Sequence, residues 1–219
     1  MSMTWSEESW PFVEPVYKEI LELPFLKGLM DGTLPKEKFF YFLQQDSIYL
    51  THYGKVMCAI ASKFKNTEYR KVFLSFAGDS VVMEESLHEF YIKDIEKKSG
   101  FEASPTCRLY TGIVSQALIS EPLEVIVASV LPCFVIYKKV GDYMLAHQVK
   151  KNNPYSQWIN TYGGEKFDEF TQLNVKITDE LASYASPKVR KAMKDIYILL
   201  TKLEWMFWDS AWRMEKWPV

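Results

Sequence analysis

The chain has 219 residues, 48% of them hydrophobic and 16% aromatic, with a net charge of -2. That length suffices for one domain with a large core, and the composition is that of a folded globule with an unusually aromatic interior. The near-neutral balance gives no basic field for nucleic acid or an anionic membrane.

The start, MSMTWSEESWPF, carries acids and no Lys or Arg before Lys18, so no signal peptide is expected. From about Ser6 to Asp31, Val13, Val16, Ile20 and Leu23 recur at three and four residues, with Pro24 as a break. DGTLP, Asp31 to Pro35, is a turn, and Pro35 suits the first turn of the next helix. Helical spacing runs from Lys36 to about Lys65 and from Asn66 to about Gly100, the second with a polar face at Lys93, Glu96, Lys97 and Lys98. FEASPT is a linker. Leu109 to Ser120 and Pro122 to about Val149 read as two more helices. NNPYSQW and NTYGGEKF are turn-rich, with Gly163-Gly164 the most flexible point. Lys166 to about Ala185 is amphipathic, and Ser186-Pro187 opens a last helix to about Trp212. No period-2 run is long enough for a strand. The expectation is one all-α domain spanning 1–219. The longest apolar uncharged run, Val125 to Tyr137, is too short to span a bilayer. Three cysteines, Cys58, Cys107 and Cys133, form no CxxC and cannot all pair, which suits a reducing cytoplasm.

Two acids stand where a helix should be apolar. Asp46 has Phe39, Phe42 and Leu43 behind it at helical spacing, and Tyr49, Leu50 and Tyr53 ahead. Glu204 has Tyr197 and Leu200 behind it, and Phe207, Trp208 and Ala211 ahead. A carboxyl in such a setting loses hydration and holds its proton, as a general acid must near neutral pH. The same positions also suit an ion pair at the surface or across a subunit contact.

SVLPCFVIYKKVG, Ser129 to Gly141, puts a proline and a cysteine together in the driest helix. Pro132 cannot donate to the carbonyl of Ala128, so a bend with a free acceptor is expected beside Cys133. Ser129 and Tyr137 flank that thiol at four residues on either side. A buried cysteine can be simply a small hydrophobe; a nucleophile needs help to become a thiolate. Glu85-x-x-His88 has di-iron spacing, but neither His52 nor His147 supplies a second copy. No zinc cluster and no phosphate-binding Gly-rich loop is present, so no metal and no cofactor are expected.

The runs DGTLPKEKFFYFLQQDSIYLTHYGKV, LPCFVIYKKVG, WINTYGGEKF and EWMFWDSAW occur in order from about Phe25 to Trp212. Together they resemble the TenA family, the thiaminase II enzymes. The resemblance implies an all-helical, haem-oxygenase-like fold, a homotetramer and a cytoplasmic role in thiamin salvage. It implies hydrolysis of 4-amino-5-aminomethyl-2-methylpyrimidine to the 5-hydroxymethyl compound and ammonia, with cleavage of thiamin as a further activity. The family's nucleophile falls on Cys133, its catalytic glutamate on Glu204 and its pyrimidine-contacting aspartate on Asp46. Its pocket aromatics fall on Tyr49, Tyr110, Tyr137, Tyr162 and Phe207. The cysteine places the chain in the cysteine-containing branch. The chain departs from the family pattern at Val135-Ile136 and at Cys107-Arg108-Leu109. A non-catalytic pyrimidine-binding or regulatory protein on the same fold is the alternative.

Overall fold

The computed structural model describes residues 3–91, 102–149 and 151–219, without the side chains of 83–91. The Glu85/His88 pair, the polar face at 93–98 and the stop at Gly100 therefore lie outside the described residues. Nine helices and no strand occur among the described residues. They are α1 (Trp5–Leu21), α2 (Pro24–Asp31), α3 (Lys36–Lys63), α4 (Thr67–Tyr91), α5 (Pro105–Ser120), α6 (Leu123–His147), α7 (Ser156–Gly163), α8 (Glu165–Tyr184) and α9 (Pro187–Arg213).

Local chemistry sets most of these boundaries. Thr4 and Glu7 close a reciprocal capping box at the start of α1. Pro24 occupies the first turn of α2, and Gly32 ends that helix in the left-handed region at φ 70°. Ser104 accepts from the Cys107 amide and Ser186 from the Val189 amide, each followed by a proline in the first turn. That cap starts α5 at Pro105, four residues before the apolar spacing made it visible.

The turn-rich reading of NNPYSQW and NTYGGEKF, residues 152–158 and 160–167, is corrected in part, because α7 is a helix. Trp158 and Tyr162 pack on Tyr137 of α6, and the capping Tyr155 packs on Phe39 of α3. Gly163 ends α7 and Gly164 caps α8. A Cβ on Gly141 would stand 2.6 Å from the Tyr162 carbonyl carbon, and one on Gly163 would stand 2.1 Å from Leu145 Cδ1. These glycines let α6 and α7 touch backbone to backbone.

The core has two parts, and α6 belongs to both. Val125, Ala128, Leu131 and Val135 face a smaller cluster with Trp5, Val13, Met193 and Tyr197. Val130, Phe134, Tyr137, Val140 and Met144 face the larger, aromatic one. This is why α6 is apolar all round rather than amphipathic. It runs through Pro132 as one helix. α3 lies along α4 after a short loop, and α9 packs against α6, α1, α3 and α5.

Candidate active site

Three long helices aim the singled-out residues at one place. On α3, Asp46, Tyr49 and Tyr53 share a face at i, i+3 and i+7, and all three are buried. On α6, Cys133 and Tyr137 are one turn apart, and on α9 Glu204 and Phe207 share a face. α5 adds Tyr110 and α7 adds Tyr162.

A cavity of about 50 Å³ opens between α3, α4, α6, α7 and α8. Asp46, Tyr53, Cys133, Phe134, Tyr137 and Tyr162 line its inner part; Phe76, Asp79, Phe167 and Phe170 line the rest. Cys133 is half-buried by area, yet it lies deep in the protein, and its free surface is the part that lines the cavity. Tyr137 packs on Tyr162 at 4.9 Å between ring centroids and on Trp208 at 4.9 Å, which fixes the wall beside the sulfur.

Glu204, Tyr110, Tyr49 and Phe207 form a second layer, adjoining the first rather than lining the cavity. Glu204 is 1% exposed, and the Tyr110 hydroxyl donates to its Oε1 at 2.5 Å. Burial pushes its carboxyl up to about 8; the Tyr110 hydrogen bond opposes this and Asp46 adds to it. No lysine or arginine among the described residues offsets that charge, so the ion-pair alternative does not hold for Glu204. Tyr49 stacks its ring 4.8 Å from Tyr110 and 5.9 Å from Phe207.

The thiol is not a thiolate at rest. Burial pushes Cys133 well above its ordinary range, and the Glu204 carboxylate adds to the rise; the neighbouring Tyr49 and Tyr53 phenols oppose it. The Tyr49 hydroxyl is buried and makes no hydrogen bond of ordinary geometry; the Tyr53 hydroxyl rests on the Val130 carbonyl at 2.8 Å. The expected polar neighbour Ser129 does not serve the sulfur, because its hydroxyl donates to the Ile126 carbonyl at 2.6 Å. The phenols from α3 take that place. Tyr53 was missed as a site residue, although its position seven residues after Asp46 put it on the same face.

Tyr110 is anchored from both chain directions. Gln45 accepts from the Ser104 amide and donates to the Glu102 carbonyl, which ties α3 to the start of α5. Past α9, Glu215 accepts from the Thr106 amide and the Trp217 indole donates to the Ala103 carbonyl. No group of three metal-ligating side chains occurs among the described residues.

The model of the TENA/THI-4/PQQC family matches residues 10–214. The chain belongs to this family. An aminopyrimidine aminohydrolase of Bacillus subtilis is 34% identical over 89% of this chain and 84% of its own. An aminopyrimidine aminohydrolase of Halalkalibacterium halodurans is 26% identical over 98% of both chains. Among solved structures, a TenA homologue from Pyrococcus furiosus superimposes with a TM-score of 0.88 at 18% identity, covering 94% of this chain and 99% of that one. A Shewanella denitrificans domain with a heme oxygenase-like fold gives 0.74 at 12% identity, covering 92% and 89%. The fold implied by the family resemblance is thus the fold observed.

Proposed function

We propose that this protein is a thiamin salvage hydrolase that converts 4-amino-5-aminomethyl-2-methylpyrimidine to the 5-hydroxymethyl compound and ammonia, and that it also cleaves thiamin to the same pyrimidine and the thiazole alcohol. The observation that carries this is the meeting of a cavity-lining thiol with a proton-holding carboxyl among stacked rings.

A pyrimidine is apolar on its faces and polar at its edge. Tyr137 and Tyr162 take a face, with Tyr49, Tyr110 and Phe207 packed behind the pocket, and Asp46 accepts from the ring's amino group. Seating the ring widens the cavity as far as Glu204, which stands behind its wall and, neutral up to about pH 8, donates its proton to a ring nitrogen. The ring carbon becomes electrophilic as Cys133 passes its proton to water and adds to that carbon, with the Tyr49 hydroxyl turning to donate to the sulfur. The electron-rich ring then expels the 5-methylene substituent. Water adds to the exposed methide, the ring returns its proton to Glu204, and the sulfur leaves and takes back its own. The chain is proposed to do this in the cytoplasm as a homotetramer. No described helix is long and apolar enough to cross a membrane, and exposed Ile119 and Leu199 on α5 and α9 are available for contacts between copies.

Steady-state ammonia release from the aminomethylpyrimidine tests the proposal. Wild type should release ammonia, and Cys133→Ser should lose at least about a hundredfold of turnover while keeping its fold, since the volume hardly changes. A wild type that binds the pyrimidine but releases no ammonia would leave the non-catalytic binding protein standing. Near-normal turnover by Cys133→Ser would remove the nucleophile.

A further inference from the structure

The cavity wall holds two carboxylates, and the proposed chemistry uses only one of them. Asp46 is 3% exposed at the inner end. The other, Asp79 on α4, has a quarter of its side chain exposed and so marks the solvent side of the same cavity. Lys166 on α8 reaches across to Asp79 Oδ1 at 2.8 Å, with its ammonium 5.3 Å from the Phe170 ring centroid. Ser75 donates to the other Asp79 oxygen at 3.4 Å. Around this pair the wall is aromatic: Phe76, Phe167 and Phe170.

We propose that Asp79, held in place by Lys166, selects substrates whose 5-methylene carries a cation. The inference rests on the function proposed above and names what that function leaves open, the recognition of the leaving group. If Asp46 and Glu204 engage the polar edge of the pyrimidine, a positive substituent has one remaining anionic destination in this wall. The aminomethyl group is an ammonium near neutral pH, and thiamin carries its thiazolium on the same carbon. Both therefore present a cation to Asp79, and the surrounding rings accept a cation on their faces. Lys166 holds the carboxylate but competes with the ligand for it. The pair is solvent-accessible and contributes little to folding, so the substrate exchanges one partner for another at small cost.

The competition gives the two residues opposite signs. The test is kcat/KM for the aminomethylpyrimidine and for an uncharged 5-alkoxymethyl analogue, measured for wild type, Asp79→Asn and Lys166→Gln. Loss of one largely covered charge contact should lower kcat/KM of Asp79→Asn for the amine about fivefold to tenfold. The alkoxymethyl compound should stay within about twofold of wild type, as expected where no charge is lost. Lys166→Gln should lower KM for the amine and leave the neutral compound unchanged. If both variants lose activity on both substrates alike, the pair is a structural tie and the selector is overturned; if neither variant changes either substrate, it is overturned as well. A wild type inert towards both substrates sinks the hydrolase itself, a distinguishable result.

Discussion

At the residue scale, the carboxyl of Glu204 stands one helical turn from two aromatic rings, Phe207 and Trp208. Among the described residues Glu204 has no cation beside it, one phenol as donor and a carboxylate neighbour, so it holds its proton up to about pH 8. Glu204→Gln should lower turnover by roughly a hundredfold or more, the usual scale for general acid–base work. Wild-type kcat should fall as pH rises past about 8, where the acid ionises, and the residual rate of the variant should lack that limb. A wild-type profile flat to pH 9.5, taken as roughly a unit and a half past that ionisation, would reduce Glu204 to a positioning group. Cys133, Glu204 and Asp46 were legible in the sequence because each breaks a local rule: two charges in aromatic stripes, one thiol beside a proline. Tyr53 breaks none. A tyrosine on a buried helical face is ordinary, and only the third dimension shows that its hydroxyl faces a sulfur 80 residues away.

At the scale of elements, long helices announced themselves by period and cap, and the short one did not. α7 carries its own signal, Tyr155, Trp158, Ile159 and Tyr162 at helical spacing, but asparagines, a proline and a Gly-Gly pair surround it. Tertiary packing overrode those breakers. The backbone contact at Gly141 then positions Tyr162 beside Tyr137. Gly141→Ala would drive a methyl into the backbone of residues 162 and 163, with 2.6 Å to the nearest atom. The expected cost is about 1–3 kcal/mol, read by denaturant unfolding, together with weaker pyrimidine binding by calorimetry. Unchanged binding in the folded variant would show that Tyr162 does not need this contact. The start of α5 has a similar dependence on distant residues, since Gln45, Glu215 and Trp217 hold it from outside the segment.

Across the whole molecule, the buried acid ties stability to pH. In the folded protein Glu204 binds its proton up to about pH 8, whereas an unfolded glutamate releases it near 4.5. Between those values the folded state holds more protons, so raising the pH favours unfolding. The stabilisation is complete below about 4.5 and lost as pH climbs through about 8. The effect is on the order of a few kcal/mol. Denaturant midpoints should therefore decline from about pH 5 to pH 8 in wild type, and this decline should be much flatter in Glu204→Gln. Equal slopes would assign the pH sensitivity to other groups. The protonated state of Cys133 also bears on oxidation. Peroxide attacks thiolates far faster than thiols. A buried sulfur that stays protonated at rest is spared, while Cys58, exposed on α3 and outside the cavity, meets the oxidant first.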